Sequence, residues 1–298
     1  MPLNARGVRK GRFVLYWMQA AQRAECNHAL EYAIARADGM RQSVVVFFGL
    51  TAGYPEANAR HYRFMLEGLR ETEAALAARG MQLVVRAGDP DALVVSLARE
   101  ASLVVVDREY LRLPREWRFR AAGRLACGLV QVETNAVVPV EEASSKEEYA
   151  AATIRPKIRR ALDRFLAPLA EREPRARSLD IDLPSLDISD VDAVLRRLGV
   201  DAIVPPASGF RGGAGEARER LRRFIESKLD SYPRLRNDPN AACTSDMSPY
   251  LHFGQISPLA IALDVKRSGS PAADEYLEEL IVRRELGANF VYYNDRYD

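Results

Sequence analysis

The sequence predicts an α/β domain built on a doubly wound parallel sheet, followed by an all-α domain, and three observations predict it. From Arg12 to Thr134, short apolar runs rich in β-branched residues alternate with stretches of helical spacing. That is the pattern of parallel strands buried on both faces by crossover helices. The stretch from Glu171 to Asp190 is rich in Pro and acidic residues and breaks the pattern as an exposed linker would. Beyond it helical spacing dominates, with no strand pattern longer than Ala202 to Val204.

Taken in order, the expected strands are Phe13 to Met18, Ser43 to Leu50, Met81 to Arg86, Leu103 to Asp107 and Leu129 to Glu133. Ala20 to Ala37, Ala57 to Arg79, Pro90 to Ala101 and Pro114 to Leu125 are the crossover helices. A helix from Ile154 to Ala170 leads into the linker. Helices then follow at Asp190 to Leu198, Gly215 to Ser231, Ser257 to Arg267 and Asp274 to Tyr293. The division is 1–140 for the α/β domain, 141–190 for a connecting helix and linker, and 191–298 for the helical domain.

With 298 residues, 48% hydrophobic and 28% charged, the chain has the composition of a folded globular protein. Its cysteines, Cys26, Cys127 and Cys243, lie far apart with no CxxC spacing, so neither a disulfide framework nor a zinc site is encoded. No apolar run approaches membrane-spanning length, and a soluble, untargeted protein of the reducing cytoplasm is expected. The net charge of +2 conceals basic bunches at Arg155 to Arg164 and Arg218 to Arg223. These read either as solvated helix faces or as phosphate contacts.

The first domain lacks GxGxxG after its first strand, and GxxxxGK[ST] is absent throughout, which argues against a dehydrogenase or an NTPase. Open α/β sheets bind ligands beyond the carboxyl ends of their strands, so the loops after Met18, Leu50 and Asp107 are candidate contacts for a planar ligand. His28, His61 and His252 show no metal-ligand spacing and read as core or surface residues. No metal site is expected.

The densest chemical signal runs from Thr244 to Pro258, TSDMSPYLHFGQISP. Hydroxyls crowd a helix-starting loop, where they serve as N-caps or grip a phosphate together with the helix dipole. The stretch resembles the flavin-diphosphate motif TSxxSPYLxxGxxSP of photolyases and cryptochromes. A tyrosine precedes that motif at a fixed interval in the family, and Tyr232 stands there (244 − 232 = 12). A second stretch, Glu278 to Phe290, is similar to the class II helix motif EELIVRRELxxNF. Read without the resemblance, its Glu279 and Arg283 could form an ordinary i,i+4 surface pair. The stretches VLYWMQ, RHYRFMLEGL, Val137 to Lys157 and Gly212 to Glu216 extend the similarity over almost the whole chain, with a departure at Gln19 to Ala21.

Resemblance to class II cyclobutane pyrimidine dimer photolyases implies a Rossmann-like antenna domain followed by an incomplete all-α flavin-binding domain. It implies FAD as cofactor, contacted by Tyr232, Thr244, Ser245, Met247 and Ser248. Glu279 matches the carboxyl group that meets the pyrimidine dimer, protonated or sharing a proton, and Arg283 or Arg284 should meet flavin phosphate or DNA. Trp17 and Trp117 are expected in the core or in the pocket of an antenna chromophore of the deazaflavin or folate type. A monomeric DNA repair lyase acting on pyrimidine dimers is the implied function. A cryptochrome-like receptor and a non-catalytic nucleotide-binding α/β module are the alternatives. The chain ending at Asp298 is expected to retain FAD weakly or not at all and to carry out no repair by itself.

Overall fold

A computed structural model describes residues 1–298. Five parallel strands form one sheet in the order β3-β2-β1-β4-β5: β1 (Phe13–Met18), β2 (Ser43–Leu50), β3 (Gln82–Ala87), β4 (Ala101–Asp107) and β5 (Gly128–Val132). β1 and β2 pair in register from Phe13 opposite Ser43 to Met18 opposite Phe48. Alternation along β1 splits the core in two. Val14, Tyr16 and Met18 pack with α1 (His28–Gly39) and α2 (Ala59–Ala78), while Phe13, Leu15 and Trp17 pack with α3 (Pro90–Leu97) and α4 (Arg112–Arg124). All six residues are essentially inaccessible, which is why the run reads as uniformly apolar.

A third core lies in the helical part. Into it pack α6 (Ala151–Phe165), preceded by the single turn α5 (Val140–Ala143), and α8 (Ala214–Ser227). The short helices α9 (Tyr232–Leu235) and α10 (Ser248–His252) follow α7 (Val191–Leu198) and α8, and α11 (Pro258–Arg267) completes the packing against the last helical rod. That rod is α12 (Ala273–Leu277), one π-helical stretch (Glu278–Arg283) and α13 (Arg284–Tyr293). No helix is long and apolar enough to cross a membrane.

Three expectations change. Residues 171–190 are not a free linker, because Val85 donates to Ser185 Oγ at 2.9 Å and Leu186 donates to the Val85 carbonyl at 2.7 Å. The segment thus covers the open edge of β3, a surface that would otherwise pair with another chain. Ile188, Val191 and Val194 sit in the core with α1 and α2, so α7 packs as part of the α/β layer despite lying beyond residue 190. The first crossover helix begins at His28 and not at Ala20.

The reason for that late start is electrostatic. Asp107, fully buried at the end of β4, accepts from the backbone N–H groups of Gln19, Ala20 and Ala21 at 2.8, 2.6 and 2.9 Å. These three bonds hold Gln19 to Ala21 in irregular backbone after β1, and α1 starts only at His28. Asn27 then caps α1, accepting from Leu30 N at 3.0 Å.

Between these two devices lies Arg23, 2% exposed. Its guanidinium donates to Asn135 Oδ1 at 2.8 Å and to the carbonyls of Thr134 at 2.9 Å, Gly254 at 3.0 Å and Cys26 at 3.2 Å. One side chain thereby ties the β1 loop, the interdomain segment and the loop after α10. Gly254 makes the approach possible: at φ +62°, a Cβ there would lie 1.8 Å from the Ala20 carbonyl oxygen.

Glu285 makes the second tie. Its Oε1 accepts from Val137 N at 2.7 Å and Val138 N at 2.9 Å, and its Oε2 is buried without a partner. Burial pushes the carboxyl up to about 8.

Two outcomes are expected. Arg23→Met keeps the stem but leaves four acceptors, two of them buried, short of a donor, and should cost about 3–5 kcal/mol in denaturant unfolding. For Glu285 the folded state retains a proton that the unfolded state releases. Its stabilising contribution is therefore complete below the ordinary carboxyl range, declines as pH rises, and is gone above the raised folded value. Glu285→Gln should flatten that decline, so that thermal midpoints of variant and wild type converge or cross between about pH 5 and pH 9. A constant difference across that range would count against it.

Candidate cofactor and chromophore sites

Two sites emerge, one on each side of α10. The first is built on the hydroxyl turn. Thr244 Oγ1 donates to Asp246 Oδ1 at 2.8 Å, and Asp246 takes φ +56°, which reverses the chain so that Pro249 can open α10. Met247 is buried beneath the turn, whereas Thr244 and Ser248 are exposed and Ser245 half-buried. Ser245 Oγ accepts from the Tyr276 hydroxyl at 2.9 Å. The Tyr276 ring lies edge-on to Tyr232, centroids 5.3 Å apart, and 4.9 Å from Phe224.

Tyr232 in turn carries the Arg236 guanidinium, 5.8 Å from its ring centroid, and Arg236 Nη1 donates to Glu279 Oε1 at 2.6 Å. Glu279 stands on the π-helical stretch, three residues after Tyr276. The contacts therefore close a circuit from Ser245 through Tyr276, Tyr232, Arg236 and Glu279 back along one rod. A π-turn widens the helix by one residue and is found mostly at functional sites. Successive carboxylates on it face different partners: Glu278 binds Arg155 of α6, with a shortest contact of 2.8 Å, while Glu279 binds Arg236.

The charged residues of the rod each have partners. The side chain paired with Glu279 is Arg236, whose guanidinium donates to the carboxyl. Arg284 donates to the Asn135 carbonyl and lines the interdomain cavity. Arg283 is exposed and lies 4.0 Å from Glu278, away from the hydroxyl turn. Arg236 was missed because no motif marks it, although its position one helical turn after Tyr232 places both on one face.

The second site is an interdomain cavity of about 740 Å³. It opens where the strand order reverses between β1 and β4, the switch point at which open α/β sheets bind ligands. The loops after Met18, Leu50 and Asp107 all reach it, through Gln19, Thr51 and Arg108. Trp17 and Trp117 line it, and Tyr54 stands edge-on to Trp117 at 6.2 Å. Ser248, Leu251, His252 and Phe253 close it from the helical side. Gln19 Nε2 and Gln22 Oε1 are buried there without hydrogen-bond partners.

Sequence spacing gave no reason to associate His61 with His252, yet both line this cavity, and burial with the nearby His61 holds His252 below the usual histidine range. His61 Nδ1 accepts from Asn58 N at 3.2 Å as part of the α2 cap.

Against known proteins, the profile of the family described as DNA photolyase matches residues 14–175. The chain belongs to the DNA photolyase family. It is 48% identical over 288 residues to the deoxyribodipyrimidine photo-lyase of Methanothermobacter thermautotrophicus, covering 97% of this chain and 63% of that protein. In fold it matches the Synechocystis cryptochrome, with TM-score 0.77 at 16% identity, over 96% of this chain and 62% of the other. An archaeal photolyase from Sulfolobus tokodaii, solved with two FAD molecules, matches with TM-score 0.69 at 19% identity, over 94% and 60% of the two chains. The chain thus spans about three fifths of the length of the curated relatives it matches.

The donor set at the hydroxyl turn fits a photolyase flavin. Neutral hydroxyls at the start of a helix, half open to solvent and backed by an apolar wall of Phe224, Tyr232 and Tyr276, suit a diphosphate whose aromatic ends need apolar contacts. The arrangement makes a ranking testable: Ser245→Ala should weaken FAD binding more than Thr244→Val in an equilibrium fluorescence titration, because Thr244 already spends its hydrogen on Asp246.

Proposed function

We propose that this protein is a deoxyribodipyrimidine photolyase of the class II type, which uses light to split cyclobutane pyrimidine dimers in DNA. The observation that carries the reading is the contact circuit joining Ser245, Tyr232 and Glu279, which supports a cofactor seat and a substrate carboxyl on one surface. FAD, when bound and reduced, supplies the photoexcited electron that opens the dimer ring.

All else is binding and orientation by this chain. Tyr232, Thr244, Ser245, Met247 and Ser248 form the seat for the flavin diphosphate. Glu279 and Arg236 together present an acceptor and charged donors to the two linked bases of a flipped dimer, whose carbonyl and N–H edges need both. Arg236 also stacks on Tyr232, so the substrate side and the phosphate side are held by one guanidinium. The exposed Arg159 and Arg160 on α6 lie on the helix that Arg155 locks to Glu278, which suits contacts to the DNA backbone.

The interdomain cavity is assigned to an antenna chromophore, and its polar groups favour a deazaflavin over a folate. Gln19 Nε2 and Gln22 Oε1 offer a neutral donor and acceptor to a lactam-like edge. Of the two arginines that line the cavity, Arg108 is paired with Glu141 at 2.7 Å, and Arg284 donates to the Asn135 carbonyl.

The decisive experiment is illumination of the protein with FAD and a dimer-containing oligonucleotide. Dimer loss under blue light supports the reading, and flavin photochemistry with no loss of dimer indicates a cryptochrome-like receptor. Glu279→Ala should lower repair by about ten-fold or more while leaving flavin content unchanged. Equal loss of both would contradict its role toward the dimer. For the antenna, Gln22→Leu should weaken deazaflavin binding by about ten-fold in a fluorescence titration, and tighter binding of a methenyl-folate by the unmodified cavity would reverse the assignment.

A further inference from the structure

We propose that Tyr276 is a positioning residue for the cofactor seat: by donating its phenol hydrogen to Ser245 Oγ, it leaves the Ser245 hydroxyl hydrogen free to point outward at a cofactor phosphate. The inference rests on the FAD reading of the turn and deepens it.

The argument is one of hydrogen counting. A serine hydroxyl has one hydrogen and two lone pairs, and a phenol has one hydrogen. The 2.9 Å contact between Tyr276 and Ser245 can be satisfied in either direction. If Ser245 donated, the phenol hydrogen of Tyr276 would be left among Phe224, Tyr232 and the helix itself, where no other acceptor meets it. Tyr276 is 5% exposed, so water cannot readily take that place. Ser245 is half-buried and opens to solvent. An unsatisfied buried donor costs more than an exposed one, so the phenol donates and the serine hydrogen turns out. Burial pushes the phenol up to about 12, which keeps its hydrogen in place across the physiological range.

Thr244 supplies the contrast. Its hydroxyl donates inward to Asp246 at 2.8 Å, so it can only accept from outside the turn. Adjacent hydroxyls of the same motif are thus set in opposite senses, and a phosphate, which accepts only, is served by the one that Tyr276 orients. Tyr276 also lies on the rod that carries Glu279, so this hydrogen bond fixes the cofactor seat relative to the substrate carboxyl.

The test is a double-mutant cycle read by equilibrium titration with FAD, with riboflavin, which lacks the diphosphate, as control. Tyr276→Phe should weaken FAD binding about 3- to 10-fold and leave riboflavin binding unchanged. Ser245→Ala should weaken FAD binding at least as much, and Y276F combined with S245A should be no weaker than S245A alone. Additive losses, or an equal loss for riboflavin, would assign Tyr276 a packing role only and overturn the inference, as would unchanged FAD affinity in Y276F. A folded wild-type chain that takes up no FAD in the titration would instead remove the FAD reading itself.

Should Y276F fail to fold, site-specific difluorotyrosine at position 276 keeps the ring and the hydroxyl but ionises at lower pH. A phenolate accepts where the phenol donated, which draws the Ser245 hydrogen inward. FAD affinity should then fall as pH rises through the fluorophenol range, a dependence absent from the unmodified protein. A flat profile in the fluorinated protein would overturn the inference.

Discussion

The arrangement of both sites depends on one buried cation, Arg23, whose charge is neutralised by no carboxylate and is satisfied by carbonyl and amide oxygens from three parts of the chain. Burial lowers its pKa, the expected direction for a guanidinium out of water, yet an arginine so far above neutrality remains charged. A charge in that position tolerates little displacement of its acceptors, since each is reached by a directional hydrogen bond. Thr134 and Asn135 belong to the segment between the domains, Cys26 to the β1 loop and Gly254 to the loop after α10. Fixing these to a common point determines where the helical layer sits against the mouth of the sheet, and hence the shape of the cavity between them. Asp107 acts from below by holding the Gln19 to Ala21 backbone open. The anion and the cation do not pair with each other. Each is spent on backbone, which is why the loop can be irregular and still be specified.

Much of this was legible in sequence and some was not, for separable physical reasons. β1 and β2 have the bounds that their apolar runs indicate, because a strand buried on both faces leaves little freedom to its ends. The residues from Ala20 to Asn27 read as helix because alanines and long polar side chains favour it locally. The Asp107 carboxylate, 86 to 88 residues away in sequence, overrides that preference, and no local pattern could reveal it. The Leu186 and Val191 neighbourhood read as linker and new domain because proline and acidic residues break periodicity, yet edge coverage of β3 uses just such an extended, irregular segment.

At the hydroxyl turn, the motif spacing pointed to Tyr232 and Glu279, and the structure brings both to the turn through a residue that the spacing did not single out. Tyr276 sits in an apolar stretch where a tyrosine reads as core. Arg236 sits in a short helix too brief to show periodicity. The π-helical stretch was invisible for a different reason: its residues, EELIVR, have ordinary helix propensity, and the i→i+5 pattern leaves no local signature. Arg284 shows how a helix divides neighbouring charges. Adjacent to Arg283 in sequence, it lies about 100° further round the helix and so faces the α/β domain instead of solvent.

The same geometry explains why the two sites are neighbours. α10 is five residues long, and its Ser248, Leu251 and His252 face the interdomain cavity while the turn that precedes it presents Ser245 to Tyr276. A planar group in the cavity and a diphosphate at the turn would therefore be separated by little more than one helix diameter, roughly 10 Å. Energy passed from one aromatic group to another depends steeply on separation and on fixed orientation. Both are set here by elements that Arg23 and Glu285 clamp, at Gly254 on one end of α10 and at Val137 and Val138 across the interdomain segment. The domain interface therefore fixes the spacing of the two proposed sites as well as contributing to stability: a loosened clamp would change the distance between the cavity and the turn before it unfolded either domain.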